Sequence, residues 1–185
     1  MRSGTVRASR YDPFVRRVHW LIAILAAIAI ALAWSITGAP RHSGVRDRLI
    51  ELHGSVGLVI LVLMLFWMGW RLRHKSPPLR PLLSGLEALL ARATHVALLA
   101  LLVAMPLTGY IALSAAGRVV TLLGVIPIPT LVSANPSVAR AAMALHLIGE
   151  FLIYGLVALH VGAALMHGFL RRDGILERML PRRSA

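Results

Sequence analysis

Four apolar blocks separated by charged connections leave this chain few ways to fold. The blocks cover about residues 15–37, 50–72, 92–116 and 141–170. As helices rising 1.5 Å per residue, they are long enough to cross a hydrocarbon core of about 30 Å. A bilayer offers the backbone no hydrogen-bond partners, so a spanning segment must satisfy its own N–H and C=O groups, and a helix does so. The expectation is an all-α integral membrane four-helix bundle, with residues 1–185 forming a single transmembrane domain. Composition agrees, since only 15% of residues are charged against about 25% in a soluble domain.

The basic residues set the expected orientation. One side of the membrane receives Arg2, Arg7, Arg10, Arg16 and Arg17, then Arg71, Arg73, Lys75, Arg80 and Arg92, then Arg171, Arg172, Arg178, Arg182 and Arg183. The other side receives Arg41, Arg46, Arg48, Arg118 and Arg140. The richer side is expected in the cytoplasm, which puts both termini there. A net charge of +13 would suggest nucleic acid in a soluble protein. Here the cations flank apolar spans and read as topology signals and lipid-headgroup contacts. The basic stretch before the first span leads into an apolar run too long for a cleavable signal. Trp20, Trp34, Trp67 and Trp70 lie near span ends, as interface anchors do.

Three connections carry further expectations. Lys75 to Pro81 is a stiff, proline-rich inner loop. Gly117 to Arg140 is the longest connection and is expected to pack over the outer mouth of the bundle. Pro106, with Gly109, should kink the third helix.

The absence of cysteine excludes disulfides, thiolate metal sites, iron–sulfur clusters and c-type haem attachment. Histidine is left as the principal candidate to hold a cofactor. His42 and His74 fall in arginine-rich loops and read as solvated. His19, His53, His95, His146, His160 and His167 lie in or at the spans, where ionisable residues are costly and usually functional. His146 and His160 are 14 residues apart, about 40° short of four turns, so both leave nearly the same face, about 21 Å apart along the axis. That spacing suits two cofactors stacked across a bilayer and not one metal ion, whose ligands sit about 2 Å from it.

A bis-histidine haem b needs one imidazole from each of two helices at matched depth. His53 and His146 each follow an outer loop and match. His19 needs an inner partner on the fourth span. Depth counting favours His167, whereas even spacing and room for a macrocycle favour His160. Gly54, Ser55 and Gly57 beside His53, and Gly162, Ala163 and Ala164 beyond His160, would let a flat ring approach the backbone. Small residues also pack helices together in membranes.

In this order and spacing the chain resembles the prokaryotic cytochrome b561 family, whose small members include a di-haem superoxide:ubiquinone oxidoreductase. The resemblance covers nearly the whole chain. It is carried by Arg17-Val18-His19-Trp20, Leu52-His53-Gly54-Ser55-Val56-Gly57, Lys75-Ser76-Pro77-Pro78, His95 before Pro106-Leu107-Thr108-Gly109, the series His146, His160 and His167, and the tail Arg172 to Pro181. It implies two haems b, with His53 and His146 as axial iron ligands of the outer one and His19 and His160 of the inner one. It also implies electron exchange with ubiquinone or another quinone.

The expected function is electron transfer in the bacterial inner membrane. An electron enters from a periplasmic-side donor, superoxide among the candidates, passes from outer to inner haem and reduces quinone near the cytoplasmic side. His167, His95 and Arg17 are candidates to contact quinone or a haem propionate. No catalytic residue is assigned. The outer arginines would steer an anionic donor. Expected partners are lipids, quinone, a small-molecule or protein donor and, optionally, a second copy of the chain. Two alternatives stand beside this reading: a haem-bearing membrane anchor relaying electrons for a separate dehydrogenase or hydrogenase, and a histidine-lined metal transporter.

Overall fold

A computed structural model describes residues 10–74, 83 and 85–180. Four helices make up the bundle: α1 Pro13–Gly38, α2 Gly44–Arg73, α3 Gly85–Ala115 and α4 Pro136–Leu165. All four are long and apolar enough to cross a membrane. Each extends past at least one end of its apolar block, because the residues that start helices lie beyond the apolar run. Asp12 caps α1 by accepting from Phe14 N, with Pro13 in the first turn. Ser43 caps α2 through Arg46 N. Asn135 caps α4 through Ser137 N and Val138 N, with Pro136 next. Such side-chain acceptors satisfy amides that a helix leaves orphaned, and proline is tolerated there because its missing N–H would be unused. The proline-rich loop predicted at Lys75 to Pro81 lies outside the described residues.

α1 packs on α2, α2 on α3 and α3 on α4. Their shared apolar core is Val18 and Ile22 from α1 with Ile60 and Met64 from α2, backed by Leu99, Leu102 and Val103 from α3. Large apolar side chains such as Val62, Leu72, Phe151 and Leu170 point outward. A water-soluble protein would bury them, whereas a lipid-facing surface has no reason to.

Residues 39–43 and 116–135 close what is termed the outer end. The longer connection forms a two-residue hairpin, β1 Thr121–Leu122 against β2 Ile126–Pro127, with Leu122 opposite Ile126. Its turn puts Leu123 and Gly124 both at positive φ, the arrangement whose twist matches paired strands. Buried Ser55 of α2 pins it by accepting from Leu123 N at 2.8 Å. Tyr110 and Ser114 of α3 donate to Pro129 O and Val132 O. The loop is thus fastened to α2 and α3 at the mouth.

At the inner end α4 widens into a π-helical turn, Met166–Arg171, and stops at Arg172 in the left-handed conformation. The following residues fold back as a strap against the start of α1. Arg16 Nη1 donates to Leu180 O at 2.6 Å, Trp20 Nε1 to Met179 O at 3.0 Å and Tyr11 N to Arg178 O at 3.3 Å.

Candidate functional site

The span histidines collect into two groups, one toward each end. At the outer end the rings of His53 and His146 face each other with centroids 6.0 Å apart. Both imidazoles are oriented by backbone. His53 Nδ1 lies 2.9 Å from Ala29 O of α1, and His146 Nδ1 lies 2.9 Å from Met105 O of α3. A carbonyl only accepts, so both rings carry their proton on Nδ1 and leave Nε2 with a free lone pair. Thr108 Oγ1, itself donating to Ala104 O, stands 3.3 Å from His146 Nδ1 as a second acceptor. Gly109 makes room for this ring: a Cβ there would stand 3.1 Å from His146 Cε1. Ser55, two residues past His53, ties the site to the outer loop.

At the inner end three imidazoles meet. His19 of α1 and His160 of α4 have ring centroids 6.2 Å apart, and His95 of α3 stands 5.3 Å from His160. His19 Nδ1 is buried without a hydrogen-bond partner among the described residues, a state that costs about 1–3 kcal/mol unless something satisfies it.

The remaining sequence candidates sit elsewhere. His167 is buried beneath the inner strap, with Nδ1 2.5 Å from Asp173 Oδ2. Arg17 is exposed on α1, two residues before His19. His42 is exposed in the outer turn at positive φ, and exposed His74 ends α2 with its ring stacked on Trp70 at 4.0 Å. Among the outer cations, Arg118 is paired with Asp47 at 2.8 Å, and Arg46 donates to Ile36 O. What spacing could not reveal is that His95 turns into the inner group, because that depends on how α3 is rotated against α4. A second missed feature is a polar seam between α1 and α4, where Trp34 reaches Tyr154, and Tyr154 reaches Glu150. The i, i+4 spacing of Glu150 and Tyr154 inside an apolar span was its only sequence signal.

The donor set fits haem iron. Two imidazoles bound through nitrogen on opposite sides of one iron, each at about 2.0 Å, place their ring centroids about 6.2 Å apart. His53 with His146 and His19 with His160 stand at that separation, and His95 with His160 stands closer. Nδ1 bonded to a backbone carbonyl is the usual outer support of a metal-binding histidine. A bare ion fits poorly: among the described residues no group of three or more His, Asp or Glu side chains could hold one.

A helical membrane bundle with facing imidazoles near both ends belongs to the class of membrane proteins that hold a cofactor between their helices. Comparison with known proteins narrows the class. The family model described as prokaryotic cytochrome b561 matches residues 10–182. The chain is 31% identical over 184 residues to "Cytochrome b561 homolog 2" of Escherichia coli, covering 99% of this chain and 97% of that one. It is 33% identical over 170 residues to "Probable superoxide oxidase CybB" of Yersinia pestis, covering 90% and 93%. "Cytochrome b561 homolog 1" of Escherichia coli is 29% identical over 167 residues, covering 90% and 94%. The chain therefore belongs to the prokaryotic cytochrome b561 family and is a multi-pass membrane haem protein.

Proposed function

We propose that the protein carries two haems b in the bacterial inner membrane and passes electrons between a donor at its outer end and quinone in the bilayer. The observation that carries this reading is the matched ring separation of 6.0 Å and 6.2 Å in two pairs that share α4. His53 and His146 hold the outer group, and His19 and His160 the inner one. Haem supplies one-electron redox chemistry when bound. The chain does the rest. Its facing imidazoles would hold each haem iron from two helices. The Ala29 and Met105 carbonyls hold the outer rings in one tautomer and orientation. The apolar cluster of Ile22, Ile60 and Met64 excludes water from the interior.

Orientation follows the cations, with the strap end in the cytoplasm and the hairpin end outside. Superoxide is the proposed donor, in line with the printed name of the Yersinia relative. Arg41, Arg46, Arg48, Arg118 and Arg140 put positive potential at that end, which attracts an anion.

A reduced-minus-oxidised optical spectrum of purified protein, with haem quantified per chain, tests this reading. Two low-spin haems b, falling to one in His53→Ala or His146→Ala, are the expected result. A chain that takes up no haem when haem is supplied would overturn it, as would an unchanged count in both variants.

A further inference from the structure

Between Arg118 and Arg140 the connection from α3 to α4 contains no Asp, Glu, Lys or Arg. The shorter connection at the same end shows the opposite composition, with Arg41 and His42 both exposed. In the longer one the exposed side chains are apolar: Leu123 is 66% exposed, Val125 78% and Ile126 57%. A solvated loop would turn polar groups outward. A cluster of exposed apolar side chains marks a surface that meets lipid or another protein.

The position of the hairpin separates these two partners. Leu123 N, in the turn, donates to Ser55 Oγ. Ser55 lies eleven residues past Gly44, where α2 begins, about 17 Å along the helix axis. It is about 8 Å inside the apolar run that starts near residue 50. Gly124, at positive φ, rests so closely on the Glu51 carboxylate that a Cβ would not fit. The turn therefore leans down the flank of α2, to a depth where α2 itself exposes Leu52 and Val59 as a lipid-facing span does. β1 lies against α2, and β2 forms the outer layer with Ile126 and Pro127 exposed.

The backbone suits the same surroundings. Ile128 N donates inward to Val120 O at 2.8 Å, and Val125 N donates to Leu122 O at 3.2 Å. The residues on either side of Ile128 are Pro127 and Pro129. Amides alternate in direction along a strand, so the N–H groups that would point off the free edge of β2 are the two that proline removes. An edge without donors resists the addition of a strand from a partner. It also leaves fewer groups unsatisfied where water is scarce.

We propose that the β1–β2 hairpin seats in the interfacial layer of the bilayer, with Leu123, Val125 and Ile126 against lipid acyl chains beside α2. Burial of apolar side chains at the headgroup boundary is what holds interfacial segments in place. Polar surface resumes at Arg118, paired with Asp47. Ser55 stands two residues past His53, so one contact ties the lipid-seated hairpin to the outer histidine pair.

The chain has no cysteine, so a single introduced thiol carries a nitroxide label at one known position. Leu123→Cys, Val125→Cys, Ile126→Cys and Arg41→Cys are labelled separately in the haem-loaded protein in lipid nanodiscs, which expose both faces. Spin relaxation by oxygen, which concentrates in lipid, is compared with relaxation by a water-soluble nickel chelate. The ratio of oxygen to nickel accessibility should exceed unity at 123, 125 and 126 and fall below unity at 41, with haem per chain unchanged. A ratio below unity at all three hairpin positions would place the hairpin in water and overturn the proposal. Labels shielded from both reagents would overturn it as well, since a protein surface, such as a second copy of the chain, would then cover the hairpin.

Discussion

The outer histidine pair and the inner histidine group are built on different principles. Outside, each imidazole is fixed before any ligand arrives, because Ala29 and Met105 carbonyls hold Nδ1 and Gly109 lets the His146 ring lie against α3. Inside, His19 has a buried nitrogen with no partner among the described residues, and a third imidazole, His95, crowds His160 at 5.3 Å. The outer site is preorganised by backbone. The inner site leaves part of its orientation to be completed by what it binds. Preorganised donors bind with less ordering cost, so the outer site should fill first and tolerate less change.

The largest effect that tests this contrast comes from the inner group. His160→Ala should lower the haem count from two to one, whereas His95→Ala should leave it at two and shift only the inner redox potential, measured by optical titration. A count of one in His95→Ala would place His95 among the ligands and break the assignment by ring separation. Next in size is Gly109→Ala, whose new Cβ would meet His146 at 3.1 Å. Overpacking of this kind costs about 1–3 kcal/mol. It should weaken outer haem retention during dilution while the inner haem stays bound, and equal loss of both would contradict a locally preorganised outer site. The smallest effect is expected from Ser55→Ala. It strips the acceptor from Leu123 N, the loss of one ordinary hydrogen bond worth about 0.5–1.5 kcal/mol. Amide exchange should quicken at residues 121–128, with the haem count unchanged.

How much of this was legible in the sequence follows from what fixes each feature. Bilayer thickness fixes the four helices, so apolar length alone revealed them. Their ends were less legible, because Asp12, Ser43 and Asn135 cap them outside the apolar runs. The common face of His146 and His160 follows from helical period, and their place on one side of the bundle could be read directly. Which ring faces which depends on helix rotation, and no count along the chain supplies that. His160, not His167, comes opposite His19 because a π-helical turn and the strap carry His167 to Asp173. Trp34, exposed near the end of α1, also spends its N–H on Tyr154, a contact between residues 120 positions apart that spacing could not supply.

The inner strap also bears on the order in which the protein is made. Residues 178–180 hold Tyr11, Arg16 and Trp20 at the start of α1. α1 thus waits for residues 159 and 164 positions further along the chain before its inner end is satisfied. In the finished bundle too, α1 has α2 as its one extensive neighbour among the described residues. The strap therefore acts as a late latch on a helix that α2 alone otherwise holds extensively.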